Sequence, residues 1–323
     1  MTPGKNKIFV KQLEPETHTA SGIAIPENAQ KKQKYGTVVA IGDYNNSEYG
    51  ELQVGDQVSF GMYAGEEVQF EDGPLLLLNP NDIYSVMSDG SHYAFGPSLI
   101  VEVERRYRDK VSLESGLELH LDPMYKPTEN ILYHGTVVSV PTIIPYDEND
   151  NSIEPNVNIG DKVYFRYVSV DDERHLLDKS IDDMAEKLTV RVFYSYVFAV
   201  VKHDKIETVG NWVLGEPFID AEGVDVEVPG ESGMVTIKVE YFPNSSLIKS
   251  THTENCKNKA IVAYSPKYSP VKAGDVVFSK HSISFENNIE GKNYYCFRVD
   301  KIDAVIGNKN CEKCKNDCPC KKD

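Results

Sequence analysis

The amino-acid sequence predicts an all-β chain of three small, partly open barrels in tandem, with one short helical insertion in the second. Two observations carry this. Short segments rich in Val, Ile, Tyr and Phe alternate apolar and polar residues through each third of the chain, which is strand composition at strand period. A Gly-Asp pair between such segments recurs at 55–56, 160–161 and 274–275, at spacings of 105 and then 114 residues, so one small domain repeats. With 323 residues the chain is long enough for three cores of that size.

The elements follow in order. The first unit opens on "KIFVKQ" at Lys7, continues through "YGTVVAIG" at Tyr35 and "LQVGDQVSF" at Leu52, and closes on "NDIYSVM" at Asn81. The second repeats this with "LIVEVE" at Leu99, "HGTVVSV" at His134, "VNIGDKVYF" at Val157 and "YSYVFAVV" at Tyr194. The third offers "NWVLGE" at Asn211, "KAIVAYS" at Lys259, "VKAGDVVFS" at Val271 and "DKIDAVIG" at Asp300. In each Gly-Asp turn the glycine permits φ > 0 and the aspartate can accept a nearby backbone N–H. The strand that follows is expected to turn Val58 and Phe60, Val163 and Phe165, and Val276 and Phe278 inward. The helix is placed at "LLDKSIDDMAEKL", Leu176–Leu188, where Leu177, Ile181, Met184 and Leu188 share a face. Domains of 1–90, 91–205 and 206–306 result, followed by a Cys/Lys-rich tail at 307–323.

Composition narrows the function. A formal net charge of −16 repels a phosphate backbone, which argues against nucleic-acid binding. No run of 18 apolar residues is present to span a membrane, and "MTPGKNKIFV" lacks the apolar core of a secretory signal. A cytoplasmic protein is expected. The sequence holds no G-x-x-x-x-G-K-[ST], H-E-x-x-H, G-x-S-x-G or G-x-G-x-x-G. His175, near Asp171 and Asp172, reads as part of a solvated polar turn, so no catalytic centre is expected. Cys256 and Cys296 read as ordinary buried or half-buried thiols. Cys311, Cys314, Cys318 and Cys320 in "NCEKCKNDCPCKKD" are a candidate zinc site. The alternative there is a flexible or redox-labile tail, because four ligands within ten residues crowd one tetrahedron. No other cofactor is expected.

The stretch "THTASGIAIPENAQKKQK", Thr17–Lys34, puts Ile23, Ala24 and Ile25 in the middle of a polar loop. From Lys7 to Met87 the ordered set "IFVKQLEPE", "SGIAIP", "YGTVVAIG", "VGDQVSF" and "LLNPNDIYSVM" resembles the GroES family of co-chaperonins. That resemblance implies a small β-barrel whose loop after the first strand, mobile when free, docks an apolar tripeptide into a groove on a GroEL-type chaperonin ring. The matching residues are Gly22, Ile23, Ala24 and Ile25. In the second unit "SGLELH" at Ser115–His120 occupies the same place, with Leu117 and Leu119 as paired anchors. In the third, "SGMVTI" at Ser232–Ile237 includes Met234, but its surroundings look like a regular strand. The resemblance further implies a ring-shaped homo-oligomer that caps the chaperonin and assists folding, with ATP hydrolysis left to the partner. Although the same barrel forms the catalytic half of zinc alcohol dehydrogenases, the dinucleotide-binding half is missing here. The alternative class is a structural or assembly protein, for instance of a virus particle, that reuses the barrel.

Overall fold

The computed structural model describes residues 2–15, 17–18, 22, 24, 26, 34–61, 63–105, 110–112, 118–120, 131–147, 151–169, 175–177, 187–217, 224–230, 233–239, 259–279 and 285–308. They form an all-β chain with three large antiparallel sheets. The first contains β1 (Ile8–Gln12), β2 (Tyr35–Ile41), β3 (Gln57–Phe60), β4 (Glu66–Phe70), β5 (Gly73–Leu78), β6 (Ile83–Ser88) and β7 (Ser91–Ala94), in the order β4-β5-β1-β2-β3-β6-β7. It continues past the residue-90 boundary to Ala94. A single helical turn, α1 (Asn46–Tyr49), lies between β2 and β3.

The second unit has β8 (Ser98–Arg105), β9 (Lys110–Ser112), β10 (Glu118–His120), β11 (Ile131–Ser139), β12 (Lys162–Phe165), β13 (Lys187–Phe193), β14 (Val197–Lys202) and β15 (Lys205–Thr208). Its main sheet runs β13-β8-β11-β12-β14-β15, and β9 and β10 form a separate pair. The third has β16 (Trp212–Pro217), β17 (Val224–Gly230), β18 (Gly233–Val239), β19 (Lys259–Tyr264), β20 (Asp275–Phe278), β21 (Phe285–Ile289), β22 (Lys292–Arg298) and β23 (Ala304–Asn308). Its order is β21-β22-β16-β19-β20-β23, with β17 and β18 paired apart. The chain divides into two compact units at Lys205/Ile206.

A common five-strand order underlies all three sheets: β5-β1-β2-β3-β6, β13-β8-β11-β12-β14 and β22-β16-β19-β20-β23. Each opening strand thus lies between its second strand and one from later in the same unit. Alternation supplies the cores. Ile8, Val10, Val38, Val58, Phe60, Leu78 and Ile83 pack together in the first unit, and Val213, Ala260, Val262, Val271, Val277 and Phe297 in the third. In the second, Val101, Val103, Val137, Val163, Phe165, Val190 and Val192 are all buried. The glycine of each "GTVV" segment faces the opening strand at close quarters. A Cβ on Gly36 would stand 2.7 Å from the Lys11 carbonyl oxygen, and one on Gly135 would strike the Glu102 carbonyl and lie 2.8 Å from Val101 Cγ1.

The Gly-Asp turns are built alike. Gly55, Gly160 and Gly274 have φ of +100°, +90° and +91°. The Asp56, Asp161 and Asp275 carboxylates accept from the N–H of Gln53, Asn158 and Lys272 at 2.7, 2.8 and 2.7 Å. The glycine N–H groups bond the carbonyls of Val38, Val137 and Val262, which ties each turn to its second strand. Asp161→Ala is expected to cost about 1 kcal/mol, the worth of one such bond, measured as a shift in urea midpoint at unchanged slope.

Two expectations need correction. In the third unit Val276 is buried, but Val277 is the residue that joins the core cluster, and Phe278 is only half-buried. The Gly-Asp turn fixes the strand's register, so the residue two after the aspartate faces inward, as Val58 and Val163 do. The helix at Leu176–Leu188 fails at both ends. Leu176 bridges to Val190, and Lys187 and Leu188 begin strand β13. Its central part, 178–186, including Ile181 and Met184, lies outside the described residues.

Candidate docking site

The connection from β1 to β2 leaves the end of their ladder, where Gln12 pairs with Gly36. Beyond it the Leu13 N–H donates to the Tyr35 carbonyl at 2.9 Å, which holds the two ends of the loop together. Within the loop Gly22 is exposed at φ +82°, with nothing within 4 Å of a Cβ built there, so only its backbone conformation calls for glycine. Ala24 is exposed and forms an isolated antiparallel bridge with His18, and Pro26 is exposed as well. Ile23 and Ile25 lie outside the described residues.

In the second unit the corresponding connection leaves the β8–β11 ladder where Arg105 pairs with Ile131. It carries the β9–β10 hairpin, in which Leu119 stands opposite Val111. Leu117 lies outside the described residues. In the third unit the connection from β16 to β19 carries β17 and β18, where Met234 pairs with Pro229 in a regular ladder from Val224–Val239 to Gly230–Gly233. All three units therefore place an extra segment between the opening and second strands.

The root of the first loop is fastened to the second barrel. The Tyr35 hydroxyl donates to the Leu177 carbonyl, and Lys34 Nζ reaches the Leu176 carbonyl at 3.4 Å. Ala94, Ile100 and Leu177 are buried together there, with Tyr84 packed against them. Beside them the Arg191 guanidinium sits 4.2 Å from the Tyr84 ring centroid and 4.5 Å from that of Phe193. Its Nε donates to Ser98 Oγ at 2.9 Å. Only 5% of Arg191 is exposed, and burial pushes its guanidinium down to about 10, so at neutral pH it is still a buried cation. The faces of two aromatic rings supply attraction to that charge. The sequence reading missed this joint, although a lone Arg inside the apolar alternation "KLTVRVF" was a visible signal.

Among the described residues no group of three or more His, Cys, Asp or Glu side chains could hold a metal ion. Cys311, Cys314, Cys318 and Cys320 lie outside them, as does Cys256. Cys296 is fully buried, and desolvation raises its thiol well above the ordinary range. In the native chain Cys296 is expected to resist alkylation and to react only on unfolding, which peptide mapping after iodoacetamide treatment checks. No helix among the described residues is long and apolar enough to cross a membrane.

Comparison with known proteins extends this geometry. The family described as "Chaperonin 10 Kd subunit" matches residues 1–87. The Co-chaperonin GroES of Bifidobacterium animalis subsp. lactis is 39% identical over 94 residues, covering 28% of this chain and 96% of that protein. That of Geotalea daltonii is 41% identical over 92 residues, covering 27% and 96%. That of Paracidovorax citrulli is 39% identical over 92 residues, with the same two coverages.

Proposed function

Because this chain belongs to the chaperonin 10 Kd subunit family through residues 1–87, and is by that membership a chaperonin cofactor, we propose that it caps a GroEL-type ring reversibly by docking its β1–β2 loop. Gly22, Ile23, Ala24 and Ile25 are the anchor, with Leu117 and Leu119 as a second one from the β8–β11 connection. The observation that carries this is the loop root: one backbone bond between Leu13 and Tyr35 closes the ladder, and the family's apolar tripeptide follows in sequence. One loop binds weakly, since burying each isoleucine contributes roughly 1.5–3 kcal/mol against about 1–2 kcal/mol for each residue ordered. Several loops on one assembly bind tightly through effective concentration.

In this reading the chain self-associates into a ring, acts in the cytoplasm and performs no catalysis itself, with nucleotide hydrolysis belonging to the partner. The three relatives named above are co-chaperonins, which supports this over a structural or assembly role in a virus particle. Electron micrographs of the chain mixed with a GroEL-type chaperonin and nucleotide test it. Extra density capping the end of the ring is expected; rings with bare ends at saturating chain contradict it.

A further inference from the structure

The first two barrels lie in one compact unit, Met1–Lys205, and their junction links the roots of two loops. Tyr35, the last anchor of the first loop, donates its hydroxyl to the Leu177 carbonyl. The Leu177 N–H in turn donates to the Thr189 carbonyl at 2.9 Å. Thr189 lies on β13 opposite Glu102 of β8, and β8 ends at Arg105, where the second loop departs. The path from one root to the other is therefore hydrogen bonds and strand ladder at every step.

Another contact braces it. The Ala94 N–H, at the end of β7, donates to Ser139 Oγ of β11 at 2.9 Å. Arg191 is the centre, clamped between Tyr84 of the first barrel and Phe193 of the second while its Nε is held by Ser98. Such a joint resists hinge motion, because any swing would separate a buried cation from the Tyr84 ring, while Phe193 and Ser98, on its own barrel, move with it.

We propose that Arg191 is a positioning residue that locks the first two barrels into one body, so that their two loops engage neighbouring grooves of the same chaperonin ring as a bivalent unit. The inference rests on the docking role proposed above and adds the coupling between the loops. Fixing two weak anchors at a set spacing raises the effective concentration of the second once the first has bound, and so slows release.

The test is a double-mutant cycle on the dissociation rate of the full chain from a GroEL-type ring with ATP. The variants are Arg191→Met, which keeps volume, Leu119→Asp, which disables the second loop, and the two combined. Each single variant is expected to dissociate about tenfold faster than the unmodified chain. The combined variant is expected to match Leu119→Asp alone, because spacing is irrelevant once one loop is dead. Additive effects would make Arg191 a general stabiliser and overturn the proposal. So would dissociation of Leu119→Asp at the unmodified rate, which leaves capping by the first loop standing. If Arg191→Met fails to fold, Tyr35→Phe, which removes one bond of the joint, takes its place in the cycle. No binding by the unmodified chain would instead overturn the docking role itself.

Discussion

A chain carrying Ile23→Asp together with Ile25→Asp is expected to lose at least about a hundredfold in ATP-dependent affinity for a chaperonin ring while keeping its fold. Two buried isoleucines contribute roughly 3–6 kcal/mol, and each 1.4 kcal/mol is about tenfold in affinity. Placing carboxylates in an apolar groove adds a desolvation cost on top. The fold is expected to survive because the ladder from Ile8–Ile41 to Gln12–Gly36 and its closing bond from Leu13 to Tyr35 do not involve either isoleucine. Co-sedimentation with the ring measures the loss, and far-ultraviolet circular dichroism checks the fold. Undiminished binding of the double variant would remove the loop as anchor.

The second large effect is at Arg191. Arg191→Ala is expected to lower the unfolding free energy by about 3 kcal/mol, because it opens a cavity between the Tyr84 and Phe193 rings and strips Ser98 Oγ of its partner. Arg191→Met keeps most of the volume and removes a buried charge, so its cost is expected to be about 1 kcal/mol. Urea unfolding of the full chain measures both. Equal losses in the two variants would mean that filling the space between the rings contributes nothing, and that the site rests on the guanidinium's polar and charge contacts, which both variants lose.

Much of the architecture was legible in the sequence because turn chemistry repeats more faithfully than core composition. The Gly-Asp pairs at 55–56, 160–161 and 274–275 marked three strands of the same register, and the aspartate-to-backbone bond recurs at each. The error at Phe278 came from reading the third strand one residue out of step with the other two. Counting from Asp275 would have selected Val277 and the buried Ser279. The ends of the helix at Leu176–Leu188 were misplaced because they carry leucines at helical spacing that the structure uses otherwise. Leu177 is buried in the joint between barrels, and Leu188 in β13.

What the sequence could not display was contact between repeats. Tyr84, Arg191 and Leu177 are far apart in the chain, and no local period joins them. Only the packing of the two sheets brings a cation between two rings. The loop proposed to dock lies between these extremes. Its apolar tripeptide in a polar setting was visible residue by residue, and the structure adds the bond from Leu13 to Tyr35 that closes the root of the loop.

The central claim, nucleotide-dependent capping of a chaperonin ring, is tested most directly by sedimenting the unmodified chain with a GroEL-type ring in the presence and absence of ATP. Saturable recovery of the chain in the ring fraction with ATP, and its absence from that fraction without, is predicted. A chain that stays in the supernatant under both conditions would contradict the claim.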